Sequence, residues 1–432
     1  MKPHNDWWSC DGGGPTPASR RTLLKSAAAG LAALLGGSSA LAQVALTGSE
    51  KERDGDILVV VFLRGGMDGL NAIVPFGDSA YYGLRPGLGI GGPDSRSRPV
   101  SERALDLDGY FGLHPALGPL LPYFKDDQLA IVHAVGSQDR TRSHFEAMNT
   151  MERGLDSQSG GTASGWLARH LMAMPPRTGS PMRAVALGSI MPDSLRGGTG
   201  AIAIQSLDEF RLEANGRSPE VVERALAELY RTGSDPMTAA GRDTLKVLDA
   251  MRKLSPGSYR SEGAPYPNSD LGAGLRQVAM LIKADLGLEV AALDKGGWDT
   301  HVAQGTTSGW LASLLEDVAS SLHAFASDIG PTMKRVTVVV QTEFGRRAYE
   351  NSALGTDHGR ASCLFVLGGG TRGGRVYGDW PGLADEKLEE GDLRVTTDYR
   401  QILAEVLEKR LHNAATERVF PGLSAQPLGI VA

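Results

Sequence analysis

Apolar runs divide the chain and predict the strands of one sheet. The first run, ILVVVFLRGG at 57–66, is apolar throughout and ends in glycines, a pattern typical of a strand covered on both faces. Similar runs are QLAIVHAVG at 128–136, LEVAALD at 288–294, RVTVVVQ at 335–341 and ASCLFVLGG at 361–369. The shorter segments MRAVALGS at 182–189 and GAIAIQS at 200–206 predict two further strands.

Segments with apolar residues at helical spacing alternate with these runs. They are HPALGPLLPYF, RSHFEAMNTMERG with Ser143 at its N-cap, LGAGLRQVAMLIKADLG, GWLASLLEDVASSLHAFASDIG and TTDYRQILAEVLEKRL. Strands that alternate with helices of this length predict crossover connections and an α/β fold with a mostly parallel sheet between two helical layers. Residues 219–254 also keep helical spacing, interrupted by glycine and proline near 233–236. We therefore predict one α/β domain over 43–432, with a helical insertion or cap at 219–270.

The N-terminal segment predicts export. Arg20 and Arg21 precede the apolar stretch AAAGLAALLGG, which is followed by Ala40-Leu41-Ala42. This order is typical of a twin-arginine signal peptide, here over 1–42, and the apolar stretch is shorter than the roughly 20 residues of a membrane anchor. We expect a periplasmic or secreted protein that meets the twin-arginine translocase during export and is not an integral membrane protein. Cleavage after Ala42 would remove Cys10 and leave Cys363 without a disulfide partner.

Charge and composition narrow the class of partner. The chain has 44 basic and 50 acidic residues, a formal net charge of −6, and is 41% hydrophobic. This balance predicts a globular protein and argues against a nucleic-acid partner.

Polar residues that follow the predicted strands suggest a composite site. In open parallel sheets the ligand lies beyond the carboxyl ends of the strands, so residues placed there are expected to meet. Five loops supply them: Asp68; Arg140, Arg142, Ser143 and His144; Asp299 and His301; Glu343 and Arg346; Asp357 and His358. Carboxylates and imidazoles together suit a divalent ion such as Zn²⁺ or Mn²⁺.

Each of these residues also has a purely structural interpretation. Asp68 follows two glycines and is compatible with a turn or cap, and Ser143 with a helix cap. Asp299 and His301 are compatible with a capping pair, and Glu343 and Arg346 with a local ion pair. We interpret three other histidines as structural, because two lie in apolar elements and one marks a helix start: His133, His323 and His114.

The motifs FLRGGMDGLN, RTRSHFEAM, GGWDTH, TEFGR and TDHGR, together with the twin-arginine start, resemble the bacterial family of domain of unknown function 1501. That family is grouped with the alkaline phosphatase superfamily, which includes sulfatases. The resemblance covers nearly the whole chain after the signal segment. It implies an alkaline-phosphatase-like three-layer sandwich.

The resemblance also implies roles for individual residues. Ser143 matches the nucleophile position, and Asp68 the metal-binding aspartate after the first strand. Glu343 stands where the superfamily has the aspartate of an Asp-His pair, and Phe344 replaces the histidine. The second metal site thus lacks a ligand unless His144 or a water supplies it. The remaining implied residues are Asp299, His301 and His358 as ligands of the other site, Asp357 beside them, and Arg142, Arg346, Arg140 and Arg360 as groups that hold the substrate oxygens.

These observations favour an exported metal-dependent hydrolase of phosphate or sulfate esters. We expect one or two divalent ions (Zn²⁺, Mn²⁺, Mg²⁺ or Ca²⁺) and a small-molecule or glycan ester as substrate. The alternative is a non-catalytic relative that binds an anionic envelope component or a glycan, which the loss of the histidine at Phe344 would explain. A third interpretation is a structural or assembly protein with neither metal nor anion binding.

Overall fold

The apolar runs form a central sheet in the computed structural model, which describes residues 56–156, 161–175, 182–198, 200–207, 218–233, 235–254, 259–424 and 426–432. The predicted signal segment at 1–42 lies outside these residues. The strands are β1 (Ile57–Leu63), β2 (Ile73–Val74), β3 (Leu105–Asp106), β4 (Gly112–Leu113), β5 (Leu129–Gly136), β6 (Ala184–Leu187), β7 (Ala201–Ile204), β8 (Val290–Lys295), β9 (Val336–Thr342), β10 (Ser362–Gly368), β11 (Val376–Tyr377) and β12 (Thr397–Asp398).

Eleven α-helices connect and cover the strands within the described residues. They are α1 (Gly69–Ala72), α2 (Ser79–Leu84), α3 (Leu121–Lys125), α4 (His144–Glu152), α5 (Trp166–Ala173), α6 (Pro219–Leu229), α7 (Pro236–Leu254), α8 (Asp270–Lys283), α9 (Trp310–Ile329), α10 (Tyr399–Lys409) and α11 (Thr416–Val419). Short 3₁₀ segments occur at Val100–Glu102, Pro115–Leu120, Asp193–Leu195, Gly330–Arg335 and Asp385–Lys387. The long helices lie where helical spacing predicts them, and α6 and α7 are separated at the predicted interruption.

The strand order places β1 in the middle of the large sheet. The order is β11-β5-β10-β9-β1-β8-β6-β7, with β12 beside β5, and β2, β4 and β3 form a separate antiparallel sheet. Pairing in the large sheet is parallel except for β10, which is antiparallel to both β5 and β9. Because β10 is reversed, its first residue, Ser362, lies opposite Val135 near the end of β5. The residues that precede β10 therefore share an edge with the carboxyl ends of the parallel strands.

Both faces of this sheet are covered. Val59 and Val61 of β1 pack in a core with α8 and α9, whereas Leu58 and Val60 pack in a second core with α5 and α10. Successive residues of a strand point to opposite faces, so an apolar run is required when both faces are buried. The predicted three-layer α/β sandwich is confirmed. None of the described helices has the length and hydropathy needed to cross a membrane.

The three histidines interpreted as structural have structural contacts. His133 is buried in β5, and its Nε2 lies 3.1 Å from a main-chain carbonyl oxygen. The Nδ1 of His114 accepts a hydrogen bond from the main-chain N–H of Ala116 at the start of a 3₁₀ segment. His323 of α9 pairs with the hydroxyl of Tyr123 at 3.0 Å.

Candidate metal centre and active site

Three imidazoles converge on one carboxylate oxygen at this edge of the sheet. The Oδ1 atom of Asp299 lies 3.0 Å from Nε2 of His301, 3.0 Å from Nε2 of His358 and 3.4 Å from Nε2 of His144. The four residues come from three segments: His144 begins α4, Asp299 and His301 follow β8, and His358 precedes β10. The ligand atoms of His144, Asp299 and His358 all lie within 4.8 Å of one another. Three of the predicted metal ligands are therefore brought together, with His144 as the fourth member of the group.

The opposite nitrogen of each ring is fixed by an acceptor. Nδ1 of each histidine faces an oxygen: Glu343 Oε1 at 2.7 Å from His144, Asp357 Oδ1 at 2.9 Å from His301, and the Arg142 carbonyl at 2.8 Å from His358. A carboxylate or carbonyl accepts only, so a neutral ring carries its proton on Nδ1 and turns the Nε2 lone pair to the common point. Metal-binding histidines commonly have outer partners of this kind, which orient the ring.

The Nε2 atoms of the three histidines are in an unfavourable arrangement unless a positive charge lies between them. Nε2 of His301 and Nε2 of His358 are 2.9 Å apart, and the Nδ1 protons leave a lone pair on each. Nε2 of His144 is buried and has no hydrogen-bond partner within the described residues. An orphaned polar atom of this kind calls for a proton or a ligand. Three nitrogens and one carboxylate oxygen fit Zn²⁺ and similar ions.

The pKa values of the cluster side chains are shifted in different directions by their surroundings. The hydrogen bond to Glu343 raises the pKa of His144, whereas burial lowers the pKa of His358. Partial burial acts to raise the pKa of Asp299, but the hydrogen bond and charge of Arg346, with the contacts to His358 and His301, outweigh it and hold the pKa well below its usual range. Asp299 is therefore ionised at any physiological pH, as a metal ligand must be.

Arg346 positions the cluster. Its side chain is buried, and Nε donates to the Gly66 carbonyl at 2.6 Å and Nη1 to the Thr356 carbonyl at 3.0 Å. Nη2 donates to the Trp298 carbonyl at 2.9 Å and to Oδ1 of Asp299 at 2.7 Å. Each nitrogen of this guanidinium is used within the protein. Arg346 was predicted to hold substrate oxygens. In the structure, acceptors of the protein itself surround its side chain instead.

Glu343 and Phe344 support His144. Glu343 is fully buried and accepts from the Gly65 N–H at 2.8 Å as well as from His144. The ring of Phe344 stacks on the imidazole of His144, with centroids 4.8 Å apart. The structure therefore places the predicted ligand Glu343 behind His144, and Phe344 forms one wall of its pocket.

Asp68 is not a member of the cluster. Its Oδ2 accepts from Nη1 of Arg85 at 2.6 Å and from Nε2 of Gln304 at 2.7 Å, and all three side chains are buried. The side chain makes no cap hydrogen bond to α1 either. The chain turns after β1 at Gly65 and Gly66, where φ is 122° and 69°, and this turn directs Asp68 inward. The structure thus places Asp68 apart from the other predicted ligands.

Ser143 lies next to the cluster at the start of α4. It occupies the N-cap position, but its side chain makes no cap hydrogen bond. Its neighbours in the chain are Arg142, whose carbonyl fixes His358, and His144. Capping alone therefore does not account for the serine at this position.

An acidic hairpin pairs with the other three predicted arginines and with Arg347. We define it as residues 389–392, in which Glu389 and Asp392 exchange main-chain hydrogen bonds of 2.9 and 3.0 Å. The arginine contacts are Arg142 Nη2 to Asp392 Oδ2 at 2.7 Å, Arg140 Nη2 to Glu389 Oε1 at 2.7 Å, Arg360 Nη1 to Glu389, and Arg347 Nη1 to the Glu390 carbonyl at 2.7 Å. No prediction from the sequence included these acids, Arg85 or Gln304. The only signal was the charge run DEKLEEGD, which resembles an ordinary solvated surface segment.

Comparisons with known proteins identify a family and two solved structures of low similarity. A family model described as "Protein of unknown function (DUF1501)" matches residues 56–411. No curated protein sequence matches the chain. The crystal structure of PsFucS1 sulfatase from Pseudoalteromonas sp. is similar, with 11% identity and a TM-score of 0.35, over 97% of this chain and 76% of that chain. Alkaline phosphatase from the Antarctic bacterium TAB5 is similar with 11% identity and a TM-score of 0.26, over 73% of this chain and 92% of that chain.

Proposed function

Because the chain belongs to the DUF1501 family, described as proteins of unknown function, we propose a function from its own site: a metal-dependent hydrolase of phosphate or sulfate esters. The observation that carries this proposal is the convergence of three Nε2 atoms on Asp299, each imidazole being fixed at its other nitrogen. A purely structural cluster would pair these nitrogens with donors.

The residues that would hold the ion are His144, Asp299, His301 and His358. A divalent ion bound there would act as a Lewis acid and lower the pKa of a bound hydroxyl group. Arg346 keeps the Asp299 carboxylate in place, and Phe344 and Glu343 fix the ring of His144.

Ser143 is the proposed nucleophile. Its hydroxyl oxygen, on losing its proton to solvent, would attack phosphorus or sulfur, and the bond to the alcohol of the ester would break as the leaving oxygen takes up a proton. Water would then cleave the serine ester and release phosphate or sulfate. The first N–H groups of α4 have no partner within the helix and would attract the anionic oxygens of the substrate. The cluster begins at the next residue, His144, so attack and charge stabilisation would occur at adjacent positions of one helix end.

The test compares metal content and turnover in matched variants. The purified full chain should contain a divalent metal and hydrolyse an aryl phosphate or an aryl sulfate. Ser143→Ala should lower kcat about a thousandfold or more while metal content is retained. Asp299→Ala should lose both. Ser218→Ala is the control, because Ser218 caps α6 without a side-chain cap hydrogen bond. Full activity in Ser143→Ala would refute the assignment of the nucleophile.

A second candidate is a metal-dependent binding protein that does not turn over its ligand. The observation in its favour is that Arg142 and Arg346, predicted to hold substrate oxygens, are already paired within the chain. This candidate predicts bound metal and tight binding of phosphate or sulfate esters, with no hydrolysis in any of the variants above.

We also propose export through the twin-arginine pathway to the periplasm or beyond. The support is the sequence of residues 1–42, with Arg20 and Arg21 before the apolar stretch. Replacement of both arginines by lysine should leave the precursor inside the cell. An unchanged extracytoplasmic yield would contradict this proposal.

A further inference from the structure

Large apolar side chains are exposed on the segments that carry the metal ligands. Phe145 follows His144 and is 84% exposed, and Val302 follows His301 and is 63% exposed. Trp310 and Leu354 are each 57% exposed. We call these four residues the apolar collar. Single exposed apolar residues are normal on a protein surface, but a group of them around one site indicates a binding surface.

Main-chain hydrogen bonds join the segments that carry three members of the collar. The N–H of Gln304 donates to the Leu354 carbonyl at 2.9 Å, and the N–H of Leu311 donates to the Gln304 carbonyl at 3.0 Å. Val302, Trp310 and Leu354 therefore belong to three segments that meet at Gln304. The indole of Trp310 also approaches Gly297, two residues before Asp299.

Leu354 is held in an unfavourable backbone conformation. Its φ is 54°, which is rare for a bulky residue and persists only where the surroundings enforce it. Asn351 enforces it here: its Oδ1 accepts from Ala353 and Gly355 N–H at 2.9 and 3.0 Å. The same side chain donates to the His301 carbonyl at 2.9 Å. The turn that exposes Leu354 is thus tied directly to a metal ligand.

The cations around the cluster already have acceptors within the chain. Their acceptors within the chain are Asp392 for Arg142, Glu389 for Arg140 and Arg360, the Glu390 carbonyl for Arg347, and Asp299 with main-chain carbonyls for Arg346. A polyanionic ligand such as a multiply sulfated glycan would need to displace these pairs. The surroundings of the site are therefore complementary to one anionic group and an apolar body.

We propose that the ester substrate is an amphiphile, in which one phosphate or sulfate group joins an apolar alcohol that rests on the apolar collar. This inference rests on the proposed function, because the anionic group is placed at the metal cluster. A free amphiphile fits better than a membrane surface, because the exposed acid Asp357 contacts His301, the neighbour of Val302, and the chain has a net charge of −6.

The test measures binding of non-hydrolysable ligands that differ only in apolar length. Butylphosphonate and octylphosphonate, below the micellar concentration, are titrated calorimetrically into the full chain loaded with Zn²⁺. Octylphosphonate should bind about tenfold more tightly or better, because its four further methylene groups leave water at the collar. The double variant Trp310→Ala/Leu354→Asn should reduce this ratio to about threefold or less, with the larger loss of affinity for octylphosphonate. Asparagine tolerates positive φ, so the turn is preserved.

The control is Val100→Ser, which removes an equally exposed apolar residue from the separate segment Val100–Glu102 and should keep the full ratio. Equal affinity for both phosphonates would overturn the amphiphile proposal and leave the metal site intact. If neither phosphonate binds, the proposed function is overturned as well. Binding of the wild-type chain to neutral phospholipid vesicles, lost in the double variant, would show that the collar contacts membranes and would overturn the proposal.

Discussion

Replacement of Glu343 by glutamine tests whether the outer carboxylate tunes the metal centre. Glu343 is fully buried, and its Oε1 accepts from His144 Nδ1 at 2.7 Å and from the Gly65 N–H at 2.8 Å. Its Oε2 lies 3.0 Å from the hydroxyl of Thr342, which can donate instead to the Leu63 carbonyl at 2.8 Å. A glutamine amide can thus accept at Oε1 and donate to Thr342. The variant Glu343→Gln removes the charge and retains the shape and the hydrogen bonds.

The expected loss is about ten- to a hundredfold in Zn²⁺ affinity, the range found when outer partners of metal ligands are changed. The charge effect is direct, because the carboxylate hydrogen bond raises the pKa of His144 and so makes the ring more basic. In Glu343→Ala the partly buried Gly65 N–H and His144 Nδ1 would lose their acceptor, which adds a stability loss of up to about 1–3 kcal/mol per group.

Competition with a chromophoric chelator measures the Zn²⁺ affinity, and urea unfolding of the metal-free chains measures stability. Glu146→Gln is the matched control, because Glu146 lies on the same first turn of α4 and is exposed. The reasoning is refuted if Glu343→Gln binds Zn²⁺ within twofold of wild type while Asp299→Asn loses binding. A similar loss in Glu146→Gln would indicate an unspecific field effect.

Three further predictions concern the supporting structure. Arg85→Met should lower the free energy of unfolding by about 3–5 kcal/mol, because Asp68 would keep a buried, unpaired charge. In urea unfolding, the double variant that adds Asp68→Asn should regain part of this lost stability. Burial lowers the pKa of His133 to about 4. The free energy of unfolding should therefore keep its full value above about pH 6.5 and fall by about 3 kcal/mol as the pH drops to 4. The variant His133→Gln should show a flatter dependence of this free energy on pH. Gly345→Ala should destabilise by at least about 2 kcal/mol in thermal unfolding, because the new Cβ would lie 1.8 Å from the Ala361 carbonyl oxygen; equal stability would contradict the close approach.

The fold class and the family were predicted correctly because both depend on local patterns. The run at β1 is apolar at every position, and this requires burial on both faces whatever its neighbours are. The direction of β10 could not be predicted, since an apolar strand has the same composition in either direction. His358 reaches the cluster because β10 is reversed, which brings its preceding loop to the edge where β8 ends.

The positions of the predicted site residues follow only partly from local sequence. His144, Asp299, His301 and His358 follow or precede strands, so the edge rule brings them together. Asp68 also follows a strand, but two residues in positive φ turn it toward Arg85. The partners of the arginines were not predicted, because Arg142 and Asp392 are 250 positions apart in the chain.

The sequence by itself determined the layers, the order of helices and strands, and which loops carry ligand-type side chains, because hydrophobic periodicity and strand ends are local properties. Only the tertiary structure decided which of these side chains face one another. Burial removes water from each polar group, so each takes the acceptor or donor that packing brings within about 3 Å. That selection left three imidazole nitrogens turned to Asp299 and paired the neighbouring arginines with the acidic hairpin.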